Sequence, residues 1–386
     1  MKSNLKFRYS TPTSNVSPGA DDNCQTSLRS TQGYYLQMYD WDSCFFAQAM
    51  TYLGIDYLIE DTVANFLSLK QSDGYIPRTI SPDKIWDVGD ACKPFLAQTL
   101  NFGRKKYLNK DYSKYLDDLD CYLEYFNRTR LDKSGLYVWR NVLESGVDDN
   151  LALIYPLEAG KEDNRDKMII PDGKVLAVDL SCYLYGEFCA MVDLSQASNN
   201  NILYQKYLKL ANDLKYRINN VLYNANDSFY YNILNTTNEF IKIKSWTSLL
   251  PVTYGICNEE IGNKIIESYI LASSHFNQLS GISSMSKAEV LYNQAKRGLY
   301  GRAIVSNWQG PVWVLPNALI IRHLIQTKYN KQAIELANKI LTTVQNGIKK
   351  YGTMYENYDA NSGEPLWAPN FMSWNSLCLE LIEYAS

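Results

Sequence analysis

The chain has 386 residues, 46% of them hydrophobic, with a formal net charge of −3 and a pI of about 5.6; it reads as globular, with one large domain or two ordinary ones. Its basic residues are dispersed, which argues against a nucleic-acid partner. No apolar run approaches the roughly 20 residues that span a bilayer, and the stretch "MKSNLKFRYSTPTSNVSPGADD" has no apolar signal core, so no membrane association and a cytoplasmic location are expected.

Residues 1–35 read as an irregular lead-in, and 36–386 as one domain. The first helical segment, 42–54, is apolar on most sides and opens with "YDWDSCFF". Asp42 there is either the N-cap of the helix or a sugar ligand, because a carboxylate beside an indole suits a pyranose, whose ring face stacks while its hydroxyls donate. An amphipathic helix follows over 57–71, then the turn "GYIPR" ending at Arg78. The alternation repeats. Apolar segments 94–103, 179–194, 311–326 and 371–384 interleave with amphipathic helices over 112–129, 202–223, 259–276 and 331–350.

After the amphipathic member the chain runs into Gly or Ser beside an aromatic or apolar residue, as in "SDGYIP", "KSGLYVW" and "KYGTMYEN". This is a degenerate repeat of roughly 50 to 90 residues, a helical hairpin plus a loop. Five or six hairpins closing on themselves give an all-α (α/α)6 toroid with inner and outer helices; an open helical solenoid is the alternative. A solenoid gives no reason for loops rich in tryptophan and acid.

"GLYVWR" leads through Trp139 and Arg140 into "ESGVDDN" (144–150), which begins an insertion of about forty residues, long enough to be functional or disordered. In "NWQGPVW" (307–313), Trp308 and Trp313 flank Gln309 and a Gly-Pro. Pro311 suits the first turn of the next helix and Gly310 a close backbone approach to a ligand. Both tryptophans are readable as core, Trp313 more readily than Trp308. In "MYENYDANSGEP", Glu356 lies between two tyrosines, Tyr355 and Tyr358, and its partial desolvation predicts a raised pKa. Two carboxylates from different loops at one funnel mouth are what glycosidic hydrolysis requires.

The chain has only two histidines, His275 and His323, both in helical stretches. Serine-triad chemistry, a histidine-rich metal site and a histidine-dependent epimerase are therefore disfavoured. The eight cysteines are scattered without a CxxC and read as reduced thiols.

Together "YDWDSCFF", "GYIPR", "ESGVDDN", "DLSCYLY", "NWQGPVW" and "MYENYDANSGEP" resemble the trehalase-like (α/α)6 glycosidases, glycoside hydrolase families 63 and 37. The resemblance implies Asp148 as general acid, Glu356 as the base that activates water, and Trp41 and Asp42 as ligands of the non-reducing sugar. Tyr39, Arg78, Trp139, Arg140, Trp308, Gln309, Trp313 and Tyr355 complete the candidate substrate-binding set. The expected activity is inverting exo-hydrolysis of a small α-glucoside, with no metal or cofactor and a small carbohydrate as the only partner. α,α-Trehalase is one alternative, and a non-catalytic carbohydrate-binding protein another. Gln309 stands where these families often carry arginine, which weakens a trehalase reading. Asp149 adds a charge beside the expected acid. Arg78, Arg140, Arg297 and Arg302 are the candidates for pairing with an anionic aglycone.

Overall fold

A computed structural model of the chain describes residues 37–80, 85–107, 110–148, 150–153, 174–294 and 306–386. The expected lead-in, Asp149, Arg297 and Arg302 lie outside the described residues. Helices dominate, in this order: α1 (Asp40–Met50), α2 (Tyr57–Leu67), α3 (Leu96–Lys106), α4 (Leu116–Thr129), α5 (Val142–Ser145), α6 (Val178–Ala197), α7 (Asn201–Arg217), α8 (Leu250–Thr253), α9 (Glu259–Ile265), α10 (Val314–Leu324), α11 (Asn330–Tyr351) and α12 (Cys378–Ala385).

The two kinds of helix separate as their sequences dictate. On α11 the buried positions are Ala333, Leu336, Ala337, Ile340, Thr343, Val344 and Gly347, one stripe at three- and four-residue spacing. In contrast, α6 is buried nearly all round, because other helices enclose it. The enclosed segments touch in sequence: α1 packs on α3, α3 on α6, α6 on α8, α8 on α10, and α10 on the 3₁₀ turn Ser373–Leu377 that leads into α12. That turn packs back on α1, so the contacts form a closed cycle. The amphipathic helices lie outside it, α2 against α1 and α3, α7 against α6, and α11 against α10 and α12.

Several expectations need correction. The fourth enclosed segment, the 3₁₀ turn Trp246–Leu249 followed by α8, has no counterpart among the apolar segments read from sequence. The helix expected over 259–276 ends with a π turn at Ile270, and His275 lies in a turn with Nδ1 2.8 Å from the Ser286 hydroxyl. Pro311 is outside α10, which begins at Val314.

The connections are also more regular than the sequence suggests, since many pair as short antiparallel strands. β1 (Met38–Tyr39), β2 (Pro77–Ile80) and β3 (Ile85–Ala91) form one sheet, so "GYIPR" enters a strand rather than ending a turn. β4 (Tyr355–Tyr358) and β5 (Pro365–Pro369) form a hairpin.

Candidate active site

The enclosed segments begin at one end of the molecule. Trp41 in the first turn of α1 meets Trp374 edge-on at 5.5 Å and Trp308 at 6.4 Å, while Trp246 stacks on Trp308 at 5.7 Å. Trp308 and Trp313 lie face to face, 3.7 Å apart and 7° from parallel, and both are buried. The core reading expected for Trp313 therefore extends to Trp308. Gly310 packs against the chain at 292–294, where an added Cβ would lie 3.0 Å from the Asn293 carbonyl oxygen. Its small size serves that contact rather than a ligand.

Three carboxylates meet at this end. Asp42 belongs to the first turn of α1, Asp148 follows α5, and Glu356 is in β4. Asp42 is not the cap; that position is Tyr39, and the Asp42 Oδ1 instead accepts from the Ser373 hydroxyl at 2.6 Å. Burial pushes the Asp42 carboxyl up to about 7, with Ser373, Lys93 and Arg78 opposing the rise and Asp40 adding to it. Glu356 is raised well above the ordinary carboxylate range, first by burial and then by Asp148 and Asp42. All three acids therefore share one electrostatic neighbourhood. Arg78, on β2, belongs to it through its effect on Asp42.

Glu144 in "ESGVDDN" has a different job. Fully buried, it accepts from Arg130 Nε at 3.1 Å and Nη2 at 2.6 Å, from the Ala91 amide at 3.0 Å and from the Arg140 amide at 2.7 Å. Those bonds fasten α5 to the end of β3. Gly146 then turns the chain with φ +73, and an added Cβ would lie 2.5 Å from Lys93 Cε and 2.8 Å from Trp41 Cζ2. The loop that delivers Asp148 thus rests on Lys93 and Trp41.

Lys93, which no sequence pattern singled out, is buried with Asp40. Its Nζ lies 2.9 and 3.0 Å from the two Asp40 oxygens and 4.8 Å from the Trp41 ring centre. Asp179 was also missed as a side chain. It accepts from Trp139 Nε1 at 2.9 Å, which fixes that indole, and burial pushes its carboxyl up to about 6.

The remaining candidates divide. Gln309 is buried beside the indoles. Tyr39 is half-buried where β1 leads into α1. Arg140 is exposed and lies across the backbone of Gly89. Tyr355 packs on Tyr351 at the end of α11, 5.7 Å away, so strand alternation turns it from the face that Glu356 uses.

A seam of backbone bonds joins several of these loops. Trp246 donates to the Ser284 carbonyl at 2.9 Å, Ser284 to that of Pro311 at 3.0 Å, and Val312 and Tyr358 exchange bonds of 2.8 and 2.9 Å. Buried polar atoms in this region without a hydrogen-bond partner among the described residues include Asp179 Oδ2, Trp246 Nε1, Gln309 Oε1 and Trp374 Nε1. Buried polar groups are rarely left so. The opposite end of the enclosed helices holds a cavity of about 380 Å³, lined by residues including Gln48, Asn101, Lys105, Asp193 and Arg322. There the polar groups satisfy one another, Arg322 with Glu380 and Gln48, and Asp193 with Asn101 and Lys105.

Carboxylates set among stacked indoles, with polar atoms awaiting partners, are the equipment of a glycoside hydrolase. Residues 35–374 match the mannosylglycerate hydrolase MGH1-like glycoside hydrolase domain, and the chain belongs to that family. Its fold is similar to that of the GH63 mannosylglycerate hydrolase from Thermus thermophilus in complex with glucose. The TM-score is 0.72 at 16% identity, over 90% of this chain and 93% of that one. Neutral trehalase Nth1 from Saccharomyces cerevisiae is similar at a TM-score of 0.67 and 16% identity, over 91% and 72% of the two chains. A probable mannosyl-oligosaccharide glucosidase from Schizosaccharomyces pombe is 24% identical over 152 residues, 36% of this chain and 18% of that protein. An uncharacterized protein from Borreliella burgdorferi is 21% identical over 281 residues, 70% and 54% of the two. The match spans less than two thirds of either curated relative. Among the described residues, no helix is long and apolar enough to cross a membrane.

Proposed function

We propose that this chain is an inverting, exo-acting α-glycosidase built as an (α/α)6 toroid, with residues 36–386 as its single catalytic domain. The observation that carries the reading is the convergence of buried Glu356 with Asp148 and with Asp42, whose neighbour Trp41 packs on Trp308 and Trp374. Asp148 donates its proton to the glycosidic oxygen as the bond to the anomeric carbon breaks. Glu356 takes a proton from the water that attacks that carbon from the opposite face. Trp41 and Asp42 contact the non-reducing sugar, Asp42 by accepting from its hydroxyls. The unpartnered atoms of Trp246, Gln309, Trp374 and Asp179 suit a ligand with many hydroxyls.

The substrate class we favour is a glycosylglycerate or a short α-gluco-oligosaccharide. The family description points that way, and the Thermus hydrolase has been crystallised with glucose, and with Tris and D-glycerate. Release of hexose from mannosylglycerate, glucosylglycerate, trehalose and α-linked gluco-oligosaccharides tests the reading. Turnover of one of the first two or of the oligosaccharides supports it, and exclusive turnover of trehalose replaces it with a trehalase. No turnover of any, with binding retained, makes the chain a carbohydrate-binding protein.

A further inference from the structure

The buried pair of Asp40 and Lys93 has no assigned role in the chemistry above. Both side chains are fully buried. Such pairs contribute little to stability compared with apolar packing of the same volume, because desolvation offsets their attraction. The placement of this one suggests a different reason for it.

Asp40 receives two further bonds, from the Trp41 amide at 2.8 Å and the Lys93 amide at 2.8 Å. The pair therefore joins the start of α1 to the segment leading into α3. Lys93 also faces the Trp41 ring and supports Gly146, two residues before Asp148. One ammonium group thus touches the platform proposed for the sugar and the loop proposed to carry the acid.

We propose that Lys93 is a positioning residue, whose buried ammonium, held by Asp40, seats the Gly146–Asp148 loop on Trp41 and balances the charge beside Asp42. This rests on the glycosidase reading above. Asp42 is faced by Asp40 and Lys93, by Arg78 on β2, by the Ser373 hydroxyl and by Glu356 on β4. Asp40 favours its protonated form, whereas Lys93 and Arg78 favour its ionised form.

Two substitutions of the pair therefore separate positioning from packing. Asp40→Asn keeps the cation and can still accept hydrogen bonds, so the acidic limb that ionisation of Asp42, the proposed sugar ligand, contributes to the kcat/KM profile should move down by at least about half a pH unit. Lys93→Gln removes the cation while its amide still donates to Asp40, so that limb should move up and kcat should fall at least about tenfold, with a smaller change in KM. Carboxyl ¹³C NMR of Asp42, assigned with Asp42→Asn, reads the same opposite displacements without substrate. It therefore keeps this inference separable from the proposed activity. If only Asp40→Asn folds, its downward displacement alone supports the role and an unmoved limb overturns it. Wild-type kcat and an unmoved titration in both folded variants overturn it, as does failure of both variants to fold, which makes the pair purely structural.

Discussion

Glu144 holds Arg130 through two hydrogen bonds, at 3.1 and 2.6 Å, with the Glu144 side chain fully buried. Four residues later Asp148 belongs to the neighbourhood of Glu356 instead. One short acidic stretch thus divides into an anchor and a candidate acid. Glu144→Gln should cost about 3 to 5 kcal/mol, since it leaves the Arg130 charge buried without its counter-ion. Urea unfolding measures this, and a change below about 1 kcal/mol contradicts the anchoring role.

Asp148→Asn and Glu356→Gln should each lower kcat at least about a hundredfold while the fold persists. Single-turnover assays alongside thermal melts check this. Near-full activity in either variant removes that residue from the proposed pair.

The first sugar released from an α-linked substrate should be the β-anomer, because one displacement by water inverts the anomeric carbon. Proton NMR in the first minutes of reaction reads it. An initial α-anomer would mean a covalent intermediate, and Glu356 would lose the base assignment.

Asp42 has a folded value of about 7 against an ordinary 3.8. A raised carboxyl favours the fold fully below its unfolded value, and that contribution is lost as pH rises through the folded one. Wild-type stability should therefore fall relative to Asp42→Asn between about pH 4 and 7 and then level off. A rise from 3.8 to about 7 sets an upper limit of about 4 kcal/mol, which water at the half-buried group reduces. Unfolding curves of both proteins at pH 4.5, 6 and 7.5 test this, and a constant difference across that window rules it out.

The two described candidate arginines should differ. Arg78 acts on Asp42, the proposed sugar ligand, so Arg78→Ala should raise KM for charged and neutral glycosides alike. Arg140, exposed beside the acid loop, should affect only an anionic aglycone. Its loss should raise KM for a glycosylglycerate more than about tenfold, the worth of a charge-assisted bond. Equal effects of Arg140→Ala on charged and neutral substrates count against an anionic aglycone.

The outer helices were legible because a single buried stripe repeats along them, as on α11. The fourth enclosed segment was not, since Trp246–Thr253 spans barely two turns and contains Pro251, too little for a period to show. The acids and tryptophans could be located from loop composition, but their partners could not. That Lys93 lies buried against Asp40, 53 positions away, is a tertiary fact that neither local sequence carries. The cap, one of the two readings open for Asp42, was plausible because acids favour a helix start, whereas the structure gives the capping position to Tyr39.

The backbone seam from Trp246 to Tyr358 has a mechanical consequence. Glu356, the stacked indoles and Ser373 form one stiff block, since Asn375 donates to the Tyr355 carbonyl at 2.6 Å. Glu144, Lys93 and Asp40 bind the acid loop, Trp41 and the head of α1 into another. The blocks meet where Ser373 donates to Asp42 and where Trp41 touches Trp374 and Trp308. The spacing between the two proposed carboxylates, on which the stereochemical outcome depends, is then a property of that joint rather than of either loop. Substitutions that wedge or loosen the joint should alter the gap proposed to hold the attacking water, even though they touch neither acid.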